Sequence, residues 1–259
     1  MHTVISRAST APAPPDDYTV SAEFYDVLQA QQDALRVHRL YGADVRRART
    51  GVLDVGAGTG RVTLMSLRES AVGVHAVEPA RAMRTSLMTR LASLPAESRA
   101  RVTVHPHPLD QADLYRVADV AVCHNTVACL PPAVRRTLWP AIARALVPGG
   151  SLHLQLPPDR LPDAPVVRLF PGQRVGGHEY GGRMVMSAEG PRIRTRFDYW
   201  VCAGSRVLRE HTETFWMWPA SRGALLGELR PHGFVPLPDR ADTSVLALAL
   251  GRSGPNRPG

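Results

Sequence analysis

Three glycines at alternate positions carry the clearest chemical signal in the chain. Gly56, Gly58 and Gly60 follow the apolar run at 52–55 and precede an amphipathic segment. Glycine adopts backbone conformations that other residues avoid, and it lets a ligand lie directly against the main chain. The pattern predicts a strand that runs into a nucleotide-binding loop and then into a helix.

Two acidic residues flank this loop in ways that restrict the ligand. Asp54 comes two residues before Gly56, where a carboxylate receives an ammonium group, directly or through water, but repels a phosphate. Glu78 ends the next apolar run and lies 18 residues beyond Gly60. An acid at the end of the second strand can bind both hydroxyls of a ribose. Together the two acids predict a nucleoside ligand that carries a cationic group.

The glycine spacing argues against a dinucleotide ligand. A pyrophosphate-binding loop requires G-x-G-x-x-G, whereas here the third glycine comes one position early and Arg61 occupies the place of the last glycine. The chain also lacks a G-x-S-x-G nucleophile turn and the metal-ligand spacings H-E-x-x-H and C-x-x-C. We therefore expect neither hydrolase chemistry nor a metal.

The elements that must position these residues alternate in a regular rhythm. Short apolar runs, interpreted as strands, lie at 51–55, 73–78, 101–105, 119–124 and 151–156. Amphipathic runs, interpreted as helices, lie at 61–70, 80–94 and 133–146, the last ended by the turn Pro148-Gly149-Gly150. Residues 21–41 are compatible with one or two further helices. This alternation predicts an α/β domain with a Rossmann-like parallel sheet covered by helices on both faces.

After the fifth strand the rhythm changes. Three antiparallel strands are predicted at 180–187, 192–203 and 206–218, followed by a helix near 222–230 and strands at 234–237 and 244–250. The expected organisation is a disordered leader at 1–17, helices and cofactor core at 18–156, a β-rich insertion at 157–218, a return to the core at 219–250 and a flexible tail at 251–259.

The segment from Val52 to Glu78 resembles motifs I and II of the class I S-adenosylmethionine-dependent methyltransferases. The expected strand order, seven in all with an antiparallel β insertion after the fifth, extends the resemblance from about Tyr18 to Leu250. S-adenosylmethionine is the cofactor that it implies. The cofactor-binding residues carried over from the family's motifs are Asp54, Gly56, Ala57, Gly58, Gly60, Glu78, Pro79 and Met83.

The loop after the third strand departs from the family's pattern. That loop usually carries an acid for the adenine amino group, but Pro108 stands at the corresponding position. With Pro108 at the usual acid position, Leu109 and Asp110 are the remaining candidates for contact with the adenine.

Residues at the carboxyl end of the fourth strand are candidates for the chemistry. Methyl transfer from a sulfonium is an in-line displacement, and an amine acceptor must lose a proton before it attacks. His124 and Asn125 lie at the sheet edge where open α/β folds bind ligands. His124 is the first candidate for the base, with a pure cofactor contact as the alternative. The tetrapeptide Asn-Pro-Pro-Tyr of nucleic-acid and protein amide methyltransferases is absent.

Aromatic residues near the N-terminus resemble the lid segment of small-molecule methyltransferases, including glycine-type and amino-sugar N-methyltransferases. Tyr18 and the tripeptide at 24–26, which contains Tyr25, carry this resemblance. Either tyrosine is a candidate to close over the sulfonium, because an aromatic ring faces cations favourably; burial in a core is the alternative. In the insertion, one face of the last predicted strand, carrying His211 and Glu213, is either a polar wall over the substrate or exposed to solvent.

Composition limits the remaining possibilities. The chain has 259 residues, 44% of them hydrophobic, which suffices for one sizeable core, and no apolar stretch approaches the length of a membrane span. The net charge is +8 and the chain has no lysine, so arginines carry the positive charge; because these are scattered, a nucleic-acid partner is the weaker alternative. Three cysteines without metal spacing fit a reducing cytoplasm.

The sequence therefore predicts a cytoplasmic enzyme that methylates an amine of a small molecule or peptide in bacterial natural-product biosynthesis. The resemblance to amino-sugar and glycine-type enzymes favours nitrogen, while oxygen and carbon acceptors stay open. An RNA-associated methyltransferase and a cofactor-binding protein without turnover are the alternatives from other classes. A homodimer is compatible with these features.

Overall fold

The computed structural model describes residues 18–252, so the predicted leader and the tail beyond Arg252 lie outside it. A seven-stranded sheet forms the centre of the molecule. The first five of its strands are β1 (Gly51–Val55), β2 (Gly73–Val77), β3 (Val102–His105), β4 (Ala118–Cys123) and β5 (Leu146–Gln155).

Four strands of the insertion form a second sheet, and the chain then returns to the first. The insertion strands are β6 (Val166–Val175), β7 (His178–Glu189), β8 (Arg192–Ala203) and β9 (Arg206–Met217), and the returning strands are β10 (Phe234–Pro236) and β11 (Val245–Leu250). The first sheet has the order β10-β11-β5-β4-β1-β2-β3. The β1 to β5 strands are parallel, while β11 is antiparallel to β5 and β10 is antiparallel to β11.

The strand order explains where a ligand can bind. The chain proceeds outward from β1 to β2 and β3, then crosses back and places β4 on the other side of β1. The carboxyl ends of β1 and β4 therefore lie side by side at the point where the order reverses. Such a point is where open α/β sheets form a crevice for ligands.

Alternating side chains of the sheet supply two cores. On β1, Val52 packs on one face and Leu53 on the other, and Val120 and Ala121 alternate in the same way on β4. Because successive strand residues point to opposite faces, both faces of these strands must be apolar and covered. This burial accounts for the nearly continuous apolar runs that identified the strands.

Helices cover both faces of the sheet. They are α1 (Ser21–Val45), α2 (Arg61–Glu69), α3 (Arg81–Ala92), the short α4 (Ala96–Arg99), α5 (Pro132–Ala145) and α6 (Arg222–Leu229). The first three pack on the face that carries Val52, and α5 and α6 pack on the face that carries Leu53. The predicted fold class, including helices on both faces and an antiparallel insertion after the fifth strand, is confirmed.

Two boundaries differ from the prediction by four residues or more. The segment at 21–41 is one helix of 25 residues and continues to Val45. The helix before β5 ends at Ala145, and β5 begins at Leu146 rather than at Ser151. The register between β5 and β4 shifts after Leu146, so the Pro-Gly-Gly segment forms an irregular part of strand β5.

The prediction of three insertion strands was wrong, because β6 adds a fourth. This strand lies at the edge of the second sheet, and nine of its ten residues are exposed. It contains Pro171, and its register with β7 shifts between Phe170 and Gln173. An edge strand exposed on both faces shows no alternation of polar and apolar residues, and proline is tolerated there because one row of donors is unpaired.

Candidate functional site

The loop after β1 is held open by its glycines. Gly56, Gly58 and Gly60 all have positive φ, at 73°, 57° and 93°. The amides of Gly56 and Ala57 both donate to the Val77 carbonyl, at 2.9 and 3.0 Å, which closes the loop onto β2. A side chain on Gly56 or Gly60 would collide with Thr126 or Leu87, whereas nothing lies within 4 Å of the Cβ position at Gly58. The open side of the loop is therefore at Gly58.

Asp54 lies buried beneath this loop. Its side chain is 1% exposed and accepts a hydrogen bond from the Thr63 hydroxyl at 2.6 Å. Burial raises the pKa of Asp54 to about 7, and the nearby Glu78 charge adds to the shift. No arginine among the described residues pairs with Asp54. A buried carboxylate in this state favours a ligand that brings positive charge.

Glu78 is fixed against the same loop. Its carboxylate accepts hydrogen bonds from the amides of Gly58 and Ala80, at 2.7 and 2.8 Å, and the residue is 6% exposed. Burial raises the Glu78 pKa, while these hydrogen bonds oppose the shift. A carboxylate has about four acceptor positions, so capacity for ligand hydroxyls remains.

The four residues expected near an adenine differ in their burial and do not all lie on one element. Pro79 is exposed beside Glu78, and Met83 is buried in the first turn of α3. Leu109 begins a single-turn helix, Leu109–Gln111, and its side chain packs into the core, whereas Asp110 is exposed.

His124 follows β4 and has a partner at each ring nitrogen. Its Nε2 lies 3.1 Å from the Asp33 carboxylate, and its Nδ1 lies 3.2 Å from the Tyr41 hydroxyl. An ionised carboxylate requires that Nε2 carry the hydrogen, so Nδ1 holds the only free lone pair of the neutral ring. His124 can accept a proton only at Nδ1, where Tyr41 already lies.

The residue after His124 is strained. Asn125 has a φ of 55°, and its backbone amide lies 3.3 Å from the Gln155 side-chain oxygen. Its side-chain amide lies 3.3 Å from His124 Nε2. Positive φ outside glycine is uncommon and clusters at functional sites.

The two candidate tyrosines have different environments. Tyr25 donates its hydroxyl to Asp33 at 3.3 Å, and burial is the main cause that raises its pKa. Tyr18 stacks on Phe215 of β9, with ring centroids 4.4 Å apart. The structure therefore brings Tyr25 together with His124 through Asp33, and it places Tyr18 against the second sheet.

Helix α1 connects the two sheets across the carboxyl edge. Asp26 on this helix accepts from the Thr59 hydroxyl at 2.8 Å and from Arg61 at 2.6 Å, and it also pairs with Arg90. The start of the helix is bound to β9, where Glu213 accepts from the Ser21 amide at 2.7 Å. On the face of β9 considered as a polar wall or an exposed surface, Glu213 is bound to this helix, whereas Arg209 is exposed and pairs with Glu23 of the helix.

Asp33 and Tyr41 were missed by reasoning from the sequence alone, and Asp26 was noted only as part of the tripeptide at 24–26, without a role. A usable signal exists, because Asp26 and Asp33 are seven residues apart and so lie on one face of a helix. Only the packing of α1 shows which face meets the glycine loop and His124.

Within residues 18–252, no group of three or more His, Cys, Asp or Glu side chains is arranged to hold a metal ion. None of the helices described there is long and apolar enough to cross a membrane.

One family model matches the part of the chain that contains the glycine loop, Glu78 and His124. Residues 53–152 match the family model of a methyltransferase domain. No curated protein sequence matches the chain.

Solved structures share the fold over nearly the whole chain. DesVI from Streptomyces venezuelae superposes with a TM-score of 0.70 at 18% identity, covering 89% of this chain and 98% of that one. The amino pentose methyltransferase CalS10 from Micromonospora echinaspora superposes with a TM-score of 0.65 at 20% identity, covering 94% of this chain and 100% of that one. For the sugar N-methyltransferase KedS8 from a Streptoalloteichus species the TM-score is 0.64 at 20% identity, and the match covers 98% of this chain and 100% of that one. At these identities the likeness shows the fold.

Proposed function

From the premise that this chain belongs to the class I methyltransferases, by its domain match and its fold, we propose that it methylates an amine of a small molecule. The donor is S-adenosylmethionine, which supplies an electrophilic methyl group on a sulfonium. The acceptor is an amino sugar or an amine of a peptide-derived natural product. Structures described as an amino pentose methyltransferase, a sugar N-methyltransferase and a glycopeptide N-methyltransferase share the fold, and the first two are covered over the full length of their own chains.

The residues around the glycine loop fit this cofactor. Asp54 would receive the ammonium of the methionine part, because its buried carboxylate lacks a cationic partner among the described residues. Glu78 would accept the ribose hydroxyls, since the Gly58 and Ala80 amides already aim its carboxylate. The uncovered side of Gly58 leaves room for the ligand to lie against the backbone.

Further contacts complete the proposed cofactor site. The backbone of Gly56, Ala57 and Gly60 would shape the loop, and Asn125 would border the cofactor at the β4 edge. Side chains or backbone of Pro79, Met83, Leu109 and Asp110 would line the adenine side. Leu109 is limited to backbone contact, because its side chain is in the core.

His124, Tyr25 and Tyr18 are the proposed residues at the acceptor. His124 orients its partners or takes the acceptor's proton, and the second role requires that Tyr41 release Nδ1. Tyr25 belongs to the same hydrogen-bonded group through Asp33. Tyr18, which stacks on β9, would border the acceptor from the side of the second sheet.

One observation supports the proposal most. This chain combines a methyltransferase domain with a second sheet, the two are joined by α1, and a structure described as a sugar N-methyltransferase has the same architecture. To test the proposal, purified protein is incubated with S-adenosylmethionine and a panel of amino sugars, peptides and their hydroxyl analogues. Mass spectrometry then detects S-adenosylhomocysteine and methylated products. We expect methylation of amines with the matched hydroxyl compounds unchanged.

A His124→Asn variant separates chemistry from cofactor binding. We expect turnover to fall by about a hundredfold or more, with little change in the affinity for S-adenosylhomocysteine, if His124 acts at the acceptor. Equal losses would make His124 a cofactor contact. Methylation of hydroxyls alone, or of RNA alone, would contradict the proposed acceptor class.

A further inference from the structure

The acidic residues of α1 differ in how they are paired. Three of the four pair with arginine, namely Glu23 with Arg209, Asp26 with Arg61 and Arg90, and Asp44 with Arg240. Asp33 is the fourth, and its ion-pair partner is His124. No arginine in the described part of the chain lies within ion-pair distance of Asp33. Asp33 is therefore the one acid of this helix whose ion-pair partner is a histidine alone, a group that is charged only when it is protonated.

Asp33 is also held in one orientation. One carboxylate oxygen accepts from His124 Nε2 at 3.1 Å, and the other accepts from the Tyr25 hydroxyl at 3.3 Å. Its side chain is 11% exposed, so it is largely withdrawn from water but still reachable. With two partners on a group that accepts about four hydrogen bonds, acceptor positions remain for a ligand.

The carboxylate stays ionised in this environment. Burial by itself raises the Asp33 pKa, but the hydrogen bonds from His124 and Tyr25, with the charges of His124 and Arg61, lower it overall. A carboxylate with a lowered pKa is a weak base and a good counter-ion. It therefore binds an ammonium group rather than taking its proton.

Resting on the proposed amine methylation, we propose that Asp33 determines acceptor specificity, as the counter-ion that binds the acceptor nitrogen in its ammonium form. His124 brings Asp33 to the carboxyl end of β4, the edge where the ligand crevice lies. A cation at this point pairs with the carboxylate in a largely dry site. A neutral hydroxyl of the same shape has no charge to offset the desolvation of the carboxylate. The site thus selects amines over alcohols. Before methyl transfer the bound ammonium must give its proton to His124 Nδ1, once Tyr41 releases that nitrogen, or to water, because only the neutral amine has a lone pair for the attack.

A pair of cofactor analogues tests this inference without knowledge of the acceptor. In sinefungin a carbon replaces the sulfur of the cofactor and carries an amino group in place of the transferred methyl group, whereas S-adenosylhomocysteine is neutral at that point. Calorimetry gives the ratio of their dissociation constants for the wild type and for Asp33→Asn. Asparagine keeps the shape and can still accept from His124 Nε2, so the substitution removes mainly the charge. We expect the preference for sinefungin to fall at least about tenfold, with S-adenosylhomocysteine affinity nearly unchanged.

Two further variants control the experiment. Glu23→Gln removes a charge from the same helix at an exposed, arginine-paired position and should leave the ratio unchanged. Asp33→Ser also removes the charge but keeps a hydroxyl that can accept from His124 Nε2, and it should lose the preference in the same way. As a second and smaller replacement, it keeps the inference testable even where Asp33→Asn fails to fold. A folded Asp33→Ser protein that binds S-adenosylhomocysteine and keeps the wild-type preference would overturn the inference.

The acceptor supplies a second readout. For an amine that the wild type methylates, Asp33→Asn should raise KM at least about tenfold and lower kcat less. A changed kcat with an unchanged KM, or an unchanged analogue ratio, would overturn the role of Asp33. Failure of the proposed function has a different signature, because wild-type protein would then either bind neither analogue or methylate no amine of the panel.

Discussion

The carboxylate of Glu213 accepts a hydrogen bond from the backbone amide of Ser21 at 2.7 Å, so a strand of the second sheet binds the first turn of α1. The second carboxylate oxygen lies 3.5 Å from the Val20 amide. Amides of a first helical turn have no partner within the helix, and an acid there also interacts favourably with the helix dipole. The insertion therefore holds the start of the helix that crosses the site.

Replacement of Glu213 by alanine should loosen this connection. We expect the free energy of unfolding to fall by about 1 kcal/mol, because the first-turn amides lose their acceptor. Urea denaturation followed by circular dichroism measures the change. Glu210→Ala, an exposed position on the same strand, is the matched control and should have little effect. Equal losses in both variants would argue against the role of Glu213.

Asp26 should couple α1 to the glycine loop. Asp26→Ala removes the partner shared by Thr59, Arg61 and Arg90 and leaves two neighbouring guanidinium groups uncompensated. We expect a loss of about 2 kcal/mol in the free energy of unfolding and weaker binding of S-adenosylhomocysteine. Asp239→Ala, which removes an exposed ion pair with Arg222, is the control for loss of an acid. Undiminished binding by folded Asp26→Ala protein would refute the coupling.

Gly58 offers a test of the loop in which strain and ligand contact can be separated. Gly58 and Gly204 have φ values of 57° and 59°, and an added Cβ meets nothing within 4 Å at either position. Alanine at each position should therefore cost about 1 kcal/mol of stability from backbone strain. Only Gly58→Ala should also lower the affinity for S-adenosylhomocysteine, because the added Cβ enters the open side of the loop. Equal affinities of the two variants would place the cofactor elsewhere.

Cofactor affinity should depend on pH through Asp54. Burial raises the pKa of this carboxyl to about 7 in the ligand-free protein, so it carries a proton below that pH. Binding an ammonium requires the ionised form, so affinity for S-adenosylhomocysteine should rise about tenfold from about pH 6 to about pH 8. Calorimetry across this range measures the change.

An Asp54→Asn variant identifies the source of that dependence. Its affinity should be lower throughout and should lose the tenfold rise. In the ligand-free protein, the raised pKa means that the folded state binds the proton more tightly than the unfolded state. The contribution of Asp54 to stability should therefore decline as pH rises from about 4 to about 7. A rise in affinity that survives in Asp54→Asn would assign the dependence to another group.

Local signals in the sequence predicted much of the central sheet. Strands β1 and β4 are buried on both faces, so their apolar runs were visible without partners, and the glycine loop followed from residues that only a tight turn requires. Strand β6 was not predicted, because an exposed edge strand that contains Pro171 has no such apolar run. The start of β5 was misplaced because a Pro-Gly-Gly segment ordinarily ends an element and here continues a strand.

The sequence by itself determined the loop from Gly56 to Gly60, with Asp54 and Glu78 beside it, because these residues are close in the chain or at ends of adjacent strands. Only the tertiary structure decided that Asp33 meets His124, 91 residues later, and that Glu213 meets Ser21, 192 residues earlier. Such contacts depend on how α1 packs between two sheets. Its helical period fixes which residues share a face, but the burial of apolar surface on both sheets fixes where that face points.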